Sequence, residues 1–260
     1  MLDALHTDSI SRSRLWRILH DVDLKPHKSA YWLNSHDEDC DAKAPTICQR
    51  YAKALDSSPQ GRLVICCDEK PGRQVLERNA PTKPAQPGRR ARREHAYIRH
   101  GTRGLIHSLA VATGQMAWTI GRTRTAPDFV APLQQAYQRL PHMARDEWVL
   151  DNFNTHWSLD VCRLVARWCT GPFEPHKRKK GPQRRAFLRD PSHRHVLHCT
   201  PKHGSWLNQA AWFFGVLPRR FLACGSFPSA KDFARRLERF LQEDKARHAH
   251  PDRWTYTGEP

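Results

Sequence analysis

A chain of 260 residues suffices for one large domain or two modest ones and for a buried core. Its 43 lysines and arginines against 26 aspartates and glutamates leave a formal charge of +17, a surface suited to a polyanion rather than a statement about fold. The longest nearly continuous apolar stretch, Ala210 to Leu217, falls far short of the ~18 residues of a membrane span, and the amino terminus carries no apolar signal core; nucleic acid is therefore the expected partner and the cytoplasm the expected compartment.

Along the chain, the first element expected is a helix. Ser11 is placed to cap it, and Leu15, Ile18, Leu19 and Val22 recur at helical spacing with Arg12, Arg14 and Arg17 off that face. Such a helix serves either as a DNA reader or as a solvated basic face. Residues 34–45 are polar, acidic and end in a proline, which reads as a linker. Beyond it, strands and helices alternate, the signature of an α/β sheet domain. Arg62 to Cys67 reads as a strand buried on both faces that delivers Asp68 at its end. Residues 81–104, dense in proline, glycine and arginine, read as a phosphate-touching loop. Leu105 to Thr113 and Met116 to Arg122 form an expected hairpin around Gly114. Ala126 to Leu140 reads as a helix that Pro132 should shorten or bend. Glu147 to Leu150 is a second buried strand ending in an acid, Asp151, and Ser158 to Trp168 is a helix. Residues 174–190, with six basic residues between Lys177 and Arg185, read as an exposed loop. A strand over 195–199 follows, then a helix over Ser205 to Phe221 with Trp206, Ala210, Phe213 and Leu217 on one side, and a last helix from Ser229 to about His248.

The eight cysteines contain no CxxC pair and read as reduced, mostly buried small hydrophobes. His193, His195 and His198 near Cys199 lack a second well-spaced ligand pair for zinc. Two strand-end carboxylates in a basic protein suggest a different use. Divalent cations ~4 Å apart stabilise both the attacking and the leaving oxygens of a phosphodiester displacement, and hard carboxylate oxygens suit magnesium. A structural ion pair is the competing explanation for each acid.

The strings CCDEKPG (66–72), QPGRRARREHAYIRHGT (86–102), VLDNFNTHWS (149–158), RRAFLRDPSHR (184–194), TPKHGSWLNQAAWFFGVLPRRFLACGSFPS (200–229) and WTYTG (254–258) carry more specific information. Together, and in this order, they resemble the bacterial insertion-sequence transposases of the DDE type, prokaryotic relatives of the mariner transposons. The resemblance spans nearly the whole chain, from a partial helix-turn-helix beginning at Ser9 to the carboxyl terminus. It implies an α/β fold, a ribonuclease H-like mixed sheet flanked by helices, preceded by a small helical DNA-binding segment. The implied arrangement is a DNA-binding segment over 1–33, a linker and connecting helix over 34–58, a catalytic domain over 59–250 and a tail over 251–260.

The resemblance further implies three acids holding two Mg2+ ions, with Mn2+ as a substitute, that hydrolyse a strand at a transposon end and join the freed 3′-hydroxyl to target DNA. By position, Asp68 matches the first acid and Asp151 the second. Glu69 is not counted as a ligand, because strand alternation turns it from Asp68. Lys70, Asn152, His156, Trp206 and Asn208 belong to the same motifs as supporting residues. The third acid is absent: three residues after Asn208 the matching position holds Ala211, and no acid occurs between Asp190 and Asp232. With one carboxylate lost, the second ion should bind poorly, and the chain is expected to keep its fold and DNA affinity but to be impaired in catalysis.

Double-stranded DNA, at transposon ends and target, is the implied partner, with a homodimer as the family expectation, no membrane, and a bacterial, nucleoid-associated location. DNA contacts are expected from Arg12, Arg14 and Arg17, from Arg89, Arg90, Arg92 and Arg93, and from Lys177, Arg178, Lys179 and Lys180. Two other readings stand beside the active enzyme: a DNA-binding remnant without chemistry, and a general ribonuclease H-like nuclease. The DNA-reading region is also expected to be shorter than is usual in the family.

Overall fold

The computed structural model describes residues 10–29, 37, 39–121, 126–141, 143–170, 172–223, 225–251 and 253–258, which fall in two compact units, Met1–Asn34 and Ser35–Pro260. Ser9, Arg122, Cys224 and most of the acidic half of the expected linker lie outside the described residues. In the first unit, helix α1 (Arg12–Asp21) starts where the sequence predicts, with Ser11 Oγ accepting the Arg14 amide at 3.3 Å. None of its residues is buried. Arg12, Arg14 and Arg17 are exposed, and so are the apolar Leu15, Ile18 and Val22.

The second unit is built on a five-stranded sheet. Its strands are β1 (Arg62–Arg78), β2 (Tyr97–Ala110), β3 (Gln115–Gly121), β4 (Arg145–Leu150) and β5 (His195–Cys199), in the spatial order β3-β2-β1-β4-β5. The hairpins β1–β2 and β2–β3 are antiparallel, while β4 and β5 join in parallel, so the sheet is mixed. Alternation along the double-faced β1 builds two cores. Leu63, Ile65 and Cys67 pack with Phe129 and Leu133 of helix α4 (Ala126–Arg139) and with Val161 and Val165 of α5 (Leu159–Trp168). Val64 and Cys66 turn to the opposite face, against Ile47 and Tyr51 of α2 (Cys40–Ala52) and Ala210 of α7 (Gln209–Leu217). Helix α8 (Ala230–His248), capped by Ser229, closes the hairpin end through Phe233, Leu237 and Leu241. A short α3 (Ala54–Ser57) and α6 (Gly181–Leu188) complete the α-helices of the described residues. The described cysteines are free thiols, five of the seven buried.

The structure departs from the sequence expectations in several places. The expected linker is helical from Cys40, because Ala44, Ile47, Cys48 and Tyr51 give that segment a face to bury. Strand β1 continues ten residues beyond Asp68, the disruptive Pro71–Gly72 pair being absorbed by a register shift between Lys70 and Arg73. Its partner β2 begins at Tyr97, so only 81–96 of the arginine-rich stretch belongs to the loop, which runs over 79–96 and is tied by bridges between Lys83 and Arg92 and between Gln86 and Arg89. Helix α4 runs through Pro132, where burial of Phe129, Leu133 and Ala136 outweighs one missing amide bond.

The basic segment 174–190 is also not a plain loop. It forms a 3-10 turn over Pro175–Arg178 and then α6. The Arg178 guanidinium stacks over Phe187 at 4.2 Å and that of Arg185 over Trp157 at 4.5 Å, so two of its cations serve packing. Finally, α7 begins at Gln209 rather than Ser205, with Asn208 as its cap. Trp206 therefore leaves the apolar stripe and is 45% exposed, while Ala210, Phe213 and Leu217 are buried.

Candidate active site

Parallel pairing of β1 with β4 ends at Cys66 and Val149. Two residues further along lie Asp68, still within β1, and Asp151, just past the end of β4, so the two acids stand at matching positions on neighbouring strands; adjacent strands lie roughly 4.8 Å apart. Asp68 is buried, and its Oδ1 accepts the Glu69 amide at 2.8 Å. Burial pushes its carboxyl up to about 6; the negative charge of Asp151 adds to the shift, against the bond from Glu69. For Asp151, burial works in the same direction but loses. The bond to His156, the charge on that ring and the amide of Phe153 hold Asp151 below the usual carboxylate range.

His156 forms the link between two carboxylates. Its Nδ1 lies 2.7 Å from Asp151 Oδ1 and its Nε2 lies 3.4 Å from Glu69 Oε1. The ring is buried and packs on Phe129, centroids 4.1 Å apart. Burial disfavours its charged form, yet the hydrogen bonds to Asp151 and Glu69 and the Asp151 charge outweigh it, raising His156 to about 9. Glu69 thus turns from Asp68, as alternation requires, but reaches Asp151 through the imidazole. Sequence reasoning excluded it as a ligand and missed this role; the only available signal was its parity with Cys67, whose face α4 and α5 cover.

Helix α7 is fastened to this point by Asn208, whose Nδ2 donates to the Cys67 carbonyl at 2.8 Å while its Oδ1 accepts the Ala210 amide at 3.1 Å. Ala211 follows in the first turn and lines a cavity with Asn208 and Gln209. Lys70 stands over the Phe214 ring at 5.9 Å, and Asn152 has a buried side-chain oxygen with no hydrogen-bond partner. Opposite Asp68 in the β1–β2 register is His107, another residue the sequence did not single out. It is fully buried, stacked on Phe213 at 4.6 Å and 8°, and both its ring nitrogens lack partners.

A divalent cation fits part of this site. A buried Asp68 whose ionisation is opposed by its own desolvation and by Asp151 is the pair a hard cation relieves, and the unpartnered Asn152 oxygen is a further hard donor. Among the described residues no three His, Cys, Asp or Glu side chains converge as a metal site, and Ala211 brings no oxygen from α7. His195 and His198, weighed as zinc candidates, instead contact Asp146 at 3.4 Å and Glu147 at 3.4 Å respectively.

The basic residues divide. Arg89, Arg90, Arg92 and Arg93 are exposed on the 79–96 loop, with Arg93 Nη1 also donating to the Ala223 carbonyl at 2.6 Å. Lys177, Lys179 and Lys180 are exposed, whereas Arg178 is half-buried on its aromatic stack. Arg12, Arg14 and Arg17 belong to the separate first unit.

The model of the DDE superfamily endonuclease family matches residues 63–234, from the start of β1 into α8. The chain belongs to this family. No curated protein matches the sequence. Among solved structures, this DDE superfamily endonuclease is similar to the Mos1 strand transfer complex, with TM-score 0.57 and 14% identity over 96% of this chain and 66% of that one. The pre-cleavage Mos1 transpososome aligns with TM-score 0.57 and 15% identity over 96% and 67%, and the Mos1 mariner paired end complex with Mn with TM-score 0.56 and 14% identity over 96% and 67%. The chain spans about two thirds of the length of these proteins. The shared fold is the ribonuclease H-like mixed sheet flanked by helices. No helix among the described residues is long and apolar enough to cross a membrane.

Proposed function

We infer that this DDE superfamily endonuclease is a transposase of the insertion-sequence type, built to cleave DNA and transfer strands at transposon ends, and that Ala211 impairs this copy. The observation that carries the reading is the matching placement of Asp68 and Asp151 beyond the paired Cys66 and Val149, with the Asp151 charge acting on a buried Asp68. The similar Mos1 strand transfer complex and the Mos1 transposase paired-end complex with left transposon end support DNA as the substrate and a dimer as the assembly.

Asp68 and Asp151 would hold the cation, for which Mg2+ is the choice and Mn2+ the substitute; two of the similar Mos1 mariner paired end complexes are those with Mn and with Mg. Divalent metal bound there would supply charge stabilisation to the attacking and leaving oxygens of the phosphodiester. His156, braced by Glu69, fixes the Asp151 carboxylate, and Asn208 fixes the start of α7 against β1. Exposed arginines and lysines on 79–96 and 177–180 contact phosphate, and α1 contributes Arg12, Arg14 and Arg17 to end recognition. With this reading goes a location in the bacterial cytoplasm, on the nucleoid, where its DNA substrate would lie.

Losing one of three carboxylates leaves two metals less compensated, and a deficit of ~4 kcal/mol in the transition state lowers the rate about a thousandfold. Ala211 accordingly favours a second reading, a DNA-binding remnant without chemistry. The discriminating experiment compares the unaltered chain with Ala211→Glu in a Mg2+ or Mn2+ cleavage assay on DNA bearing the sequences that flank its gene. The expected result is little cutting by the unaltered chain, cutting restored by Ala211→Glu, and its abolition when Asp68→Asn is added. DNA binding without cutting in either chain selects the remnant, cutting indifferent to end sequence selects a general nuclease, and full activity in the unaltered chain overturns the assigned role of position 211.

A further inference from the structure

The wall of α7 that carries Ala211 borders a cavity of about 590 Å3. Its lining includes Trp206, Trp212 and Trp254, with Gln209, Ala211 and Arg253 alongside. Large indoles are normally drawn into cores, yet Trp212 is 72% exposed and Trp206 45%. Two of the three rings are held in place from behind. Tyr256 meets Trp206 edge-on at 5.3 Å, and Tyr51, itself buried, backs Trp254 at 5.0 Å. The cavity is thus a braced aromatic slot rather than a loose surface patch.

Gln209 gives the slot its polarity. The residue is 9% exposed, and neither its side-chain oxygen nor its nitrogen has a hydrogen-bond partner. Leaving such buried groups unmatched costs ~1–3 kcal/mol each, which a ligand bearing an adjacent donor and acceptor recovers when the side chain turns to meet it from the cavity wall. The edge of a nucleobase has that pattern, and a carboxamide is a common reader of it. Arg253, exposed on the lining, supplies the positive charge that a nucleotide's phosphate requires.

We propose that this cavity binds a single unpaired nucleobase at the end of a DNA strand, the base stacking on the exposed tryptophans with its edge toward Gln209 and its phosphate toward Arg253. The proposal rests on DNA being the substrate, and it adds a recognition site for the unpaired nucleotide along the start of α7, next to position 211. Stacking of one base on aromatic side chains is tolerant of sequence and supplies enough binding energy for about a tenfold preference.

The test measures binding, by fluorescence anisotropy, to one labelled duplex in three forms: blunt, with one unpaired 3′ nucleotide, and with an abasic unit in place of that nucleotide. The native chain is expected to bind the unpaired form about tenfold more tightly than the other two. Trp212→Ala, which removes an exposed side chain, and Gln209→Leu, which keeps its bulk, should each bring the unpaired form down toward the blunt duplex. Equal affinity for the blunt and unpaired forms overturns the pocket and leaves DNA as the substrate, as does an abasic form that binds as well as the base. Preference that survives in both variants also overturns it, and absence of binding to any of the three removes the DNA reading and the pocket together.

Discussion

The side-chain amide of Asn208 donates to the carbonyl of Cys67 at 2.8 Å, one residue before Asp68, and the same side chain caps α7 through the Ala210 amide. A single buried residue therefore sets where the helix carrying position 211 begins relative to the strand carrying the first acid. β4 has already ended its pairing at Cys66, so the Cys67 carbonyl depends on this donor on that side. Asn208→Ala removes a cap worth ~1 kcal/mol and strands a buried acceptor at ~1–3 kcal/mol. The expected loss is about 2–4 kcal/mol in urea denaturation, with Asn208→Asp, which keeps the capping oxygen, falling between. A loss below about 0.5 kcal/mol would mean that α7 is positioned by packing alone.

His107 predicts a pH dependence of stability. Burial pushes its imidazole down to about 3 from an ordinary 6.5, because no partner offsets the cost of charging it. Below pH 6.5 the unfolded chain takes up a proton that the folded chain refuses. The stability tied to this ring is therefore complete above pH 6.5 and declines as the pH falls toward 3, with a limiting slope of ~1.4 kcal/mol per pH unit. Glu147, lowered to about 2 by its hydrogen bond to His198 and by Arg50 and Arg145, loses stability in the same direction below pH 4.5, while the raised Asp68 and Asp146 act oppositely. The His107 contribution is isolated by difference: His107→Phe, which preserves a stack on Phe213, should flatten the native curve between pH 6.5 and 5. Parallel curves for the two proteins would place the ring's proton elsewhere.

What the sequence made legible follows from which forces are local. The runs RLVICC and EWVL are apolar on both faces and short, so they read as buried strands, and the serines at 11, 158 and 229 announced the helices they cap. What it concealed depends on distant partners. Pro71 and Gly72 are strand breakers by type, but pairing with β2 carries β1 past them. The basic run 177–185 looks fully solvated until Phe187 and Trp157 are brought beneath Arg178 and Arg185. The end of β4 just before Asp151 was readable, whereas Asp68, expected at a strand end, lies inside β1, because the pairing with β2 that extends the strand is not local. The connection of Glu69 to Asp151 was not, since an imidazole 87 residues away in sequence completes it.

Exposed arginines on the 79–96 loop lead to a salt prediction. Arg89, Arg90, Arg92 and Arg93 lie on a segment with little buried surface, which suits phosphate contact more than packing. Each phosphate neutralised contributes about 0.9 to the slope of log affinity against log salt. Replacing the four by alanine should lower the slope for duplex DNA by roughly 3–4 and weaken all sequences alike. A mobility-shift titration across salt measures this directly. An unchanged slope would assign the contacts to other cations, with Lys177, Lys179 and Lys180 next to be replaced.

The last prediction concerns the imidazole between the two carboxylates. His156 Nδ1 and the Phe153 amide both bond Asp151 Oδ1, at 2.7 and 3.1 Å, which fixes the carboxylate plane and directs Oδ2 away from them. Partners that orient a metal-binding side chain typically change metal affinity by about 10- to 100-fold. His156→Leu should therefore weaken Mn2+ binding by about that factor in calorimetric titration. Glu69→Gln, which leaves the ring in place but weakens its brace at 3.4 Å, should cost only a few-fold. This graded order separates orientation from mere charge: if the role of Glu69 were to add negative potential to the site, its neutralisation would weaken Mn2+ binding as much as loss of the ring. Thermal melting of both variants identifies any loss of binding that comes from unfolding, and Glu69→Gln, with its conserved shape, carries the comparison if His156→Leu melts. Unchanged Mn2+ affinity in both would remove His156 and Glu69 from the site and leave Asp151 oriented by its own loop.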